Sequence, residues 1–154
     1  MSEIIFSSSY DEKHPPENIL NPSKDKYFTS TGMFPQEICI QFETVKSVKS
    51  VSIVSYGIKK VSIQTCENDS VVNFKTQAEQ NEIPNERGLQ KIKLNLVKNP
   101  NVKVLKIEVL EGYEEFFTIH TFGVLWNEYI WTIKYNYLLY RNELFLYVIF
   151  IFDN

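Results

Sequence analysis

His14 is the first side chain in the sequence able to move a proton near neutral pH. It stands in Asp11-Glu12-Lys13-His14-Pro15-Pro16, with two carboxylates within three positions. A carboxylate that orients an imidazole makes a general base, so Asp11 or Glu12 with His14 is the first arrangement to weigh. The other histidine, His120, lies in "FFTIHTFG" on the strand face opposite Ile119, and no nucleophile pattern accompanies it. Local packing or hydrogen bonding is the expected role of both. Cys39 and Cys66 are 27 positions apart with no C-x-x-C and no Cys/His cluster, so neither a zinc site nor a disulfide framework is expected. Neither has a flanking base or a helix N-terminus to lower its pKa, so both read as unreactive, reduced thiols. The runs Ser7–Ser9 and Thr29–Thr31 would accept phosphate, but hydrogen bonding at strand edges is the expected reason for them. G-x-x-x-x-G-K-[ST] and G-x-G-x-x-G are both absent, so no nucleotide-binding loop is expected of this chain.

These residues have to be carried by strands. From Glu37 onward, apolar and polar residues alternate with period two, which marks strands with one buried and one solvated face. In "QKIKLNLVK", Ile92, Leu94 and Leu96 share a face opposite Lys91, Lys93 and Asn95. "KVLKIEVLE" repeats the pattern with Leu105, Ile107 and Val109 inward, and "KKVSIQT" does so with Val61 and Ile63. "EICIQF" and "VSIVSY" read as two further strands, with Cys39 turned away from Ile38 and Ile40. The segments "SYG", "CENDS", "IPNERG", "KNPN" and "LEGYEE" supply turn residues between the runs. Seven to nine short strands follow, an all-β sandwich without long helices. In "HPPENIL" two prolines fix φ, and Asn21-Pro22 stops what they open, so one short helical turn is predicted inside a long loop.

With 154 residues, the chain is long enough for one domain with a substantial core. Sixteen basic against nineteen acidic side chains leave a net charge of −3. That field is too weak to hold a nucleic-acid backbone or an anionic membrane. The N-terminus lacks a basic stretch followed by a long apolar one, so no signal peptide is expected and the cytosolic side of membranes is the expected compartment.

The opening loop is far more specific than the rest. "DEKHPPEN" (Asp11 to Asn18) and "TGMFPQE" (Thr31 to Glu37), with looser likeness at Ser55-Tyr56, Val72 to Phe74 and "F-x-x-I-H-T" from Phe116 to Thr121, closely resemble the intraflagellar transport protein 25 family, also described as small heat-shock-like protein B11. The resemblance covers about residues 2–124. It implies a jelly-roll β-sandwich of the galactose-binding or discoidin-like type. The implied role is a non-catalytic subunit of intraflagellar transport complex B in the cilium or flagellum and the cytoplasm. Its implied partners are a Rab-like small GTPase, intraflagellar transport protein 27, and other subunits of that complex. Family members carry about a dozen more residues ahead of the position matching Ser2, which implies one edge strand fewer here.

The resemblance also implies a calcium loop of backbone carbonyls plus an Asp and a Thr side chain, positions that fall on Asn21 and Lys26. Asn21 removes one negative charge from a site for a hard dication. An ammonium at Lys26, held about 5 Å from Ca²⁺, would be repelled by roughly 6–7 kcal/mol at an effective dielectric of 20. Asp25 is the one neighbour able to compensate as a ligand, and Lys26 is able to stand in for the ion itself. The expectation is that no cofactor is needed, with weakened calcium binding as the other outcome.

Met33 and Phe34, apolar residues in a polar loop, are candidate anchors for a protein partner, with packing over the sandwich end as the competing role. The rival function is a carbohydrate-binding module, the commoner occupation of this fold, which needs an aromatic platform and converging polar groups. Residues 125–154 break the pattern. Seventeen of these 30 are Phe, Tyr, Ile, Asn or Lys, whose codons are mostly A and T, so translated non-coding sequence is one reading of this aromatic-rich tail. Its apolar run "LFLYVIFIF" is about half of what a helix needs to cross a bilayer. An exposed, β-prone segment that needs covering is the expectation, without membrane insertion.

Overall fold

The computed structural model describes residues 2–126 apart from 22, 24, 70, 71 and 86. The tail beyond Trp126, with its apolar run, lies outside the described residues. Eight strands and one short helix make up the described fold: β1 (Ser2–Ser7), the 3-10 helix η1 (Pro16–Leu20), β2 (Phe28–Thr29), β3 (Gln36–Tyr56), β4 (Ile58–Cys66), β5 (Lys75–Gln80), β6 (Gln90–Asn95), β7 (Asn101–Gly112) and β8 (Thr118–Trp126). The last strand takes in Leu125 and Trp126, two residues past the boundary expected at Val124.

All pairings are antiparallel, and they sort into two sheets. The first runs β1-β3-β7-β4-β5 and the second β2-β8-β3-β6. Strand β3 belongs to both. "EICIQF" and "VSIVSY", expected as separate strands, are the two ends of this single 21-residue element. Its first half pairs with β1 and β7, and from Val48 it pairs with β8 and β6. The register against β7 shifts between Gln41 and Lys46, where Glu43, Thr44 and Val45 of "ETVKS" are exposed and the chain crosses between layers. A bulge at such a corner bends the strand without ending it.

The inward stripes face each other as the alternation required. Ile38, Ile40, Val61, Ile63, Leu105, Ile107 and Val109 come from the first sheet, and Val51, Ile53, Ile92, Leu94 and Ile119 from the second; all are buried in one core. Burying such side chains supplies about 1.5–3 kcal/mol each before the entropy of ordering is set against it. The helical turn forms where the prolines placed it. Pro15 and Pro16 need no N–H partner at its start, and Ile19 drops into the core at 1% exposure.

The outer face of the first sheet has a small apolar cluster of its own. Cys39, turned away from Ile38 and Ile40, is buried all the same, in a second cluster with Cys66, Val104 and the half-buried Phe74. Phe74 covers this face, and the Lys106 ammonium lies 4.8 Å from its ring centroid. β1 pairs only with β3, so among the described residues its other edge has no strand, and Ile5 and Phe6 are exposed on it.

Candidate partner-binding surface

Met33 and Phe34 part company in the structure. Phe34 precedes Pro35 through a cis peptide bond. Its half-buried ring stacks on Phe117 at 5.9 Å and lies over Gly112, where a β-carbon would collide with it. Phe34 is therefore a packing residue. Met33 points the other way, 88% exposed, while its carbonyl accepts a 2.6 Å hydrogen bond from Gln36 Nε2. The Gln36 bond holds the loop backbone while the Met33 side chain is left to solvent.

The loop from Asn21 to Lys26 does not fit calcium. Asn21, Asp25 and Lys26 are all exposed. The Asn21 carbonyl accepts from the Ser23 N–H at 2.7 Å, and the Tyr27 carbonyl accepts from Asn18 Nδ2 at 2.9 Å, so two of the local oxygens are already engaged. Asp25 is the single carboxylate of the three positions, and no group of three or more His, Cys, Asp or Glu side chains suited to a metal occurs among the described residues. A hard dication wants six to eight oxygens and compensating negative charge, and the described residues of this loop offer Asp25 as their one carboxylate beside the Lys26 ammonium.

His14 is not arranged as a base. The Asp11 carboxylate accepts from the backbone N–H groups of Lys13 and His14, both at 2.8 Å, which closes a local turn and directs Oδ1 to the main chain. The imidazole instead stacks on Tyr27 at 4.0 Å between centroids, and Tyr27 stacks at 4.9 Å on His120. Sequence reasoning singled out both histidines but missed Tyr27, which joins them from a third segment. His120 Nε2 lies 3.0 Å from Thr118 Oγ1, and partial burial holds its pKa below the ordinary imidazole value. The Tyr27 ring is thus engaged by two imidazoles of its own chain.

A second aromatic pair, Tyr56 and Phe116, lies nearby at 6.4 Å, with Tyr56 Oη donating to Glu114 Oε1 at 3.0 Å. At the opposite end, Phe42, Phe122, Val124 and Trp126 line a cleft of about 290 Å³ between the two sheets. Both thiols are buried. Burial pushes Cys39 up to about 11 against the pull of the Lys106 ammonium. β7 runs between the strands carrying Cys39 and Cys66, two strand spacings or about 9.5 Å. A disulfide spans about 7 Å at most between α-carbons. In the hydroxyl runs, Ser8 Oγ accepts from the Glu37 N–H and Ser30 Oγ from the Phe117 N–H, both at 2.9 Å, while Ser9 Oγ is buried without a protein partner among the described residues.

No family model matches the chain. It is 30% identical over 120 residues to the intraflagellar transport protein 25 homolog of Homo sapiens, across 78% of this chain and 83% of that protein. Intraflagellar transport protein 25 of Chlamydomonas reinhardtii is 30% identical over 122 residues, 79% of this chain and 64% of that one. Among solved structures, a family 32 carbohydrate-binding module of Clostridium perfringens in complex with galactose superposes with a TM-score of 0.64 at 15% identity, covering 80% of this chain and 98% of the module. A chitosan-binding module of Paenibacillus gives 0.67 at 16% identity, covering 81% and 93%. At such identities the likeness shows the galactose-binding-like jelly roll and nothing about ligands. With 30% identity sustained over more than three quarters of its length, the chain belongs to the intraflagellar transport protein 25 family, and intraflagellar transport is its place of work.

Proposed function

We propose that this chain is a non-catalytic subunit of intraflagellar transport complex B. In this reading it forms a heterodimer with a Rab-like small GTPase, intraflagellar transport protein 27, and serves ciliary cargo transport. Family membership carries the proposal. The exposed Met33 on a braced loop supports it, because a solvent-facing apolar side chain on a fixed backbone loses little freedom when it docks. The sequence lacks a phosphate-binding loop, so in this pairing the nucleotide resides in the partner. The Tyr27 ring, stacked with His14 and His120, is already engaged within the chain, which removes one aromatic from the platform that the carbohydrate-binding alternative needs.

Co-expression with the matching GTPase, followed by size-exclusion chromatography, tests the proposal. A single peak holding both chains is expected from the full sequence and from a version ending at Trp126. Separate elution in both cases overturns it, and specific retention on a glycan array would put the carbohydrate reading first.

A further inference from the structure

The outer faces of the two sheets differ in how their charges are satisfied. On the first sheet the ammonium groups meet carboxylates of the same chain: Lys106 with Glu37 at 3.0 Å, Lys60 with Glu79 at 3.2 Å and Lys103 with Asp69 at 3.5 Å. Among the described residues, the outward rows of the second sheet carry no such network. Its register lines up two outward rows, Lys93–Ser52–Gly123 and Lys91–Val54–Thr121, across β6, β3 and β8. Lys91, Lys93, Ser52 and Thr121 are exposed, and the inward neighbours Ile92 and Ile53 are buried, which fixes the outward parity of both rows. Neither row holds a carboxylate, and among the described residues neither lysine forms an ion pair.

The floor beside Lys93, where Ser52 pairs with Gly123, is built from small groups. At Gly123 a β-carbon would sit 2.7 Å from Ser52 Oγ, so the serine hydroxyl takes the space a larger residue would need. Towards one end, the same face continues into Thr118, His120 and Tyr56, paired with or beside one another through the start of β8.

We infer that this outer face of the second sheet, β6-β3-β8, is where the protein partner docks, and that the partner presents carboxylates to Lys91 and Lys93 over the Ser52–Gly123 floor. The inference rests on the proposed heterodimer, in which the chain is an adaptor for the GTPase, and assigns its surface. Two unpaired lysines on a protein of net charge −3 are too few for a nucleic-acid backbone but suffice to orient a folded, acidic surface. A floor of small side chains allows close approach of the partner backbone, while Tyr56 at its margin supplies an aromatic contact.

The test measures affinity of the full chain for the GTPase with Lys91→Glu/Lys93→Glu, with Ser52→Tyr, and with Lys60→Glu/Lys75→Glu, which makes the same charge change on the first sheet. Unfolding curves accompany each, and Lys91→Gln/Lys93→Gln serves if the reversal impairs folding. Expected are at least tenfold weaker binding for the two face variants, binding within twofold of the unaltered chain for the control, and a salt dependence that the reversal abolishes. Face variants that fold and bind like the unaltered chain overturn the location and leave the adaptor reading intact. If the unaltered chain fails to bind, the adaptor reading falls and the docking surface falls with it. Retention on vesicles containing phosphatidylserine that is lost on reversal, with GTPase binding unchanged, would make the face lipid-directed and also overturn it.

Discussion

Gln90 brackets the main chain of Ile58 with its side-chain amide. Its Nε2 donates to the Ile58 carbonyl at 2.7 Å and its Oε1 accepts from the Ile58 N–H at 3.0 Å. The same amide donates to the Pro84 carbonyl at 3.0 Å and accepts from Ser55 Oγ at 3.3 Å, all at 3% exposure. It ties the start of β4 to the start of β6 and to the loop between β5 and β6. Gln90→Leu keeps the apolar volume and leaves two main-chain groups of Ile58 without partners. A loss of about 2–4 kcal/mol in urea unfolding is expected, with GTPase binding retained where the protein stays folded.

Gly112 is required by the Phe34 ring, since a β-carbon there would meet the ring and lie 3.0 Å from the Gly57 carbonyl. Gly112→Ala should therefore destabilise by about 1–3 kcal/mol through overpacking. Phe34→Leu, tested in the Gly112→Ala background, should recover part of the loss because it removes the colliding atoms. Thermal unfolding of the two variants and the pair checks this, and strict additivity would show that the residues are not coupled.

Cys39 makes stability sensitive to alkali. Its folded pKa is raised to about 11, so the folded state keeps its proton after the unfolded chain, with an ordinary thiol near 8.5, has released it. The contribution is fully present below the unfolded value and is lost as pH rises through about 11. Stability should fall by about 2–3 kcal/mol over that window, and Cys39→Ala should flatten the fall. In the folded protein at pH 8 the thiol should stay silent towards a thiol reagent until denaturant is added.

His120 works in the other direction. Burial lowers its pKa, so the folded state favours the neutral ring and the stabilisation is present above the unfolded value near 6.5 and is lost as pH falls below it. An NMR titration should place His120 below the ordinary imidazole value, and Thr118→Val should change that midpoint because Thr118 Oγ1 faces Nε2.

Calcium should leave the protein unmoved. At 1 mM Ca²⁺ the expected change in Tm is under about 1 °C for the chain as it is, since a ligand that does not bind the folded state cannot stabilise it. Asn21→Asp with Lys26→Thr removes the ammonium and restores a carboxylate, and a calcium-dependent rise in Tm is then expected. A clear rise in the unaltered chain would return Asn21 and Asp25 to the ligand set.

Alternation by itself determined which residues of β4, β6 and β7 enter the core, because a strand's side chains point to opposite faces whatever it pairs with. The prolines at 15 and 16 likewise set the helical turn locally. Gln90 was visible as a polar residue on the buried parity of Ile92 and Leu94, yet its partner lies 32 positions away and only chain packing reveals it. The continuity of β3 through "ETVKS", the burial of Cys39 under Phe74 and the meeting of His14, Tyr27 and His120 were decided by tertiary structure alone. Each depends on which segment lies over which face, and period-two patterning carries no information about that. The same holds for the docking face: Lys91 and Lys93 read as solvated from their spacing, but that no carboxylate stands opposite them follows only from the register of β6 on β3 and of β3 on β8.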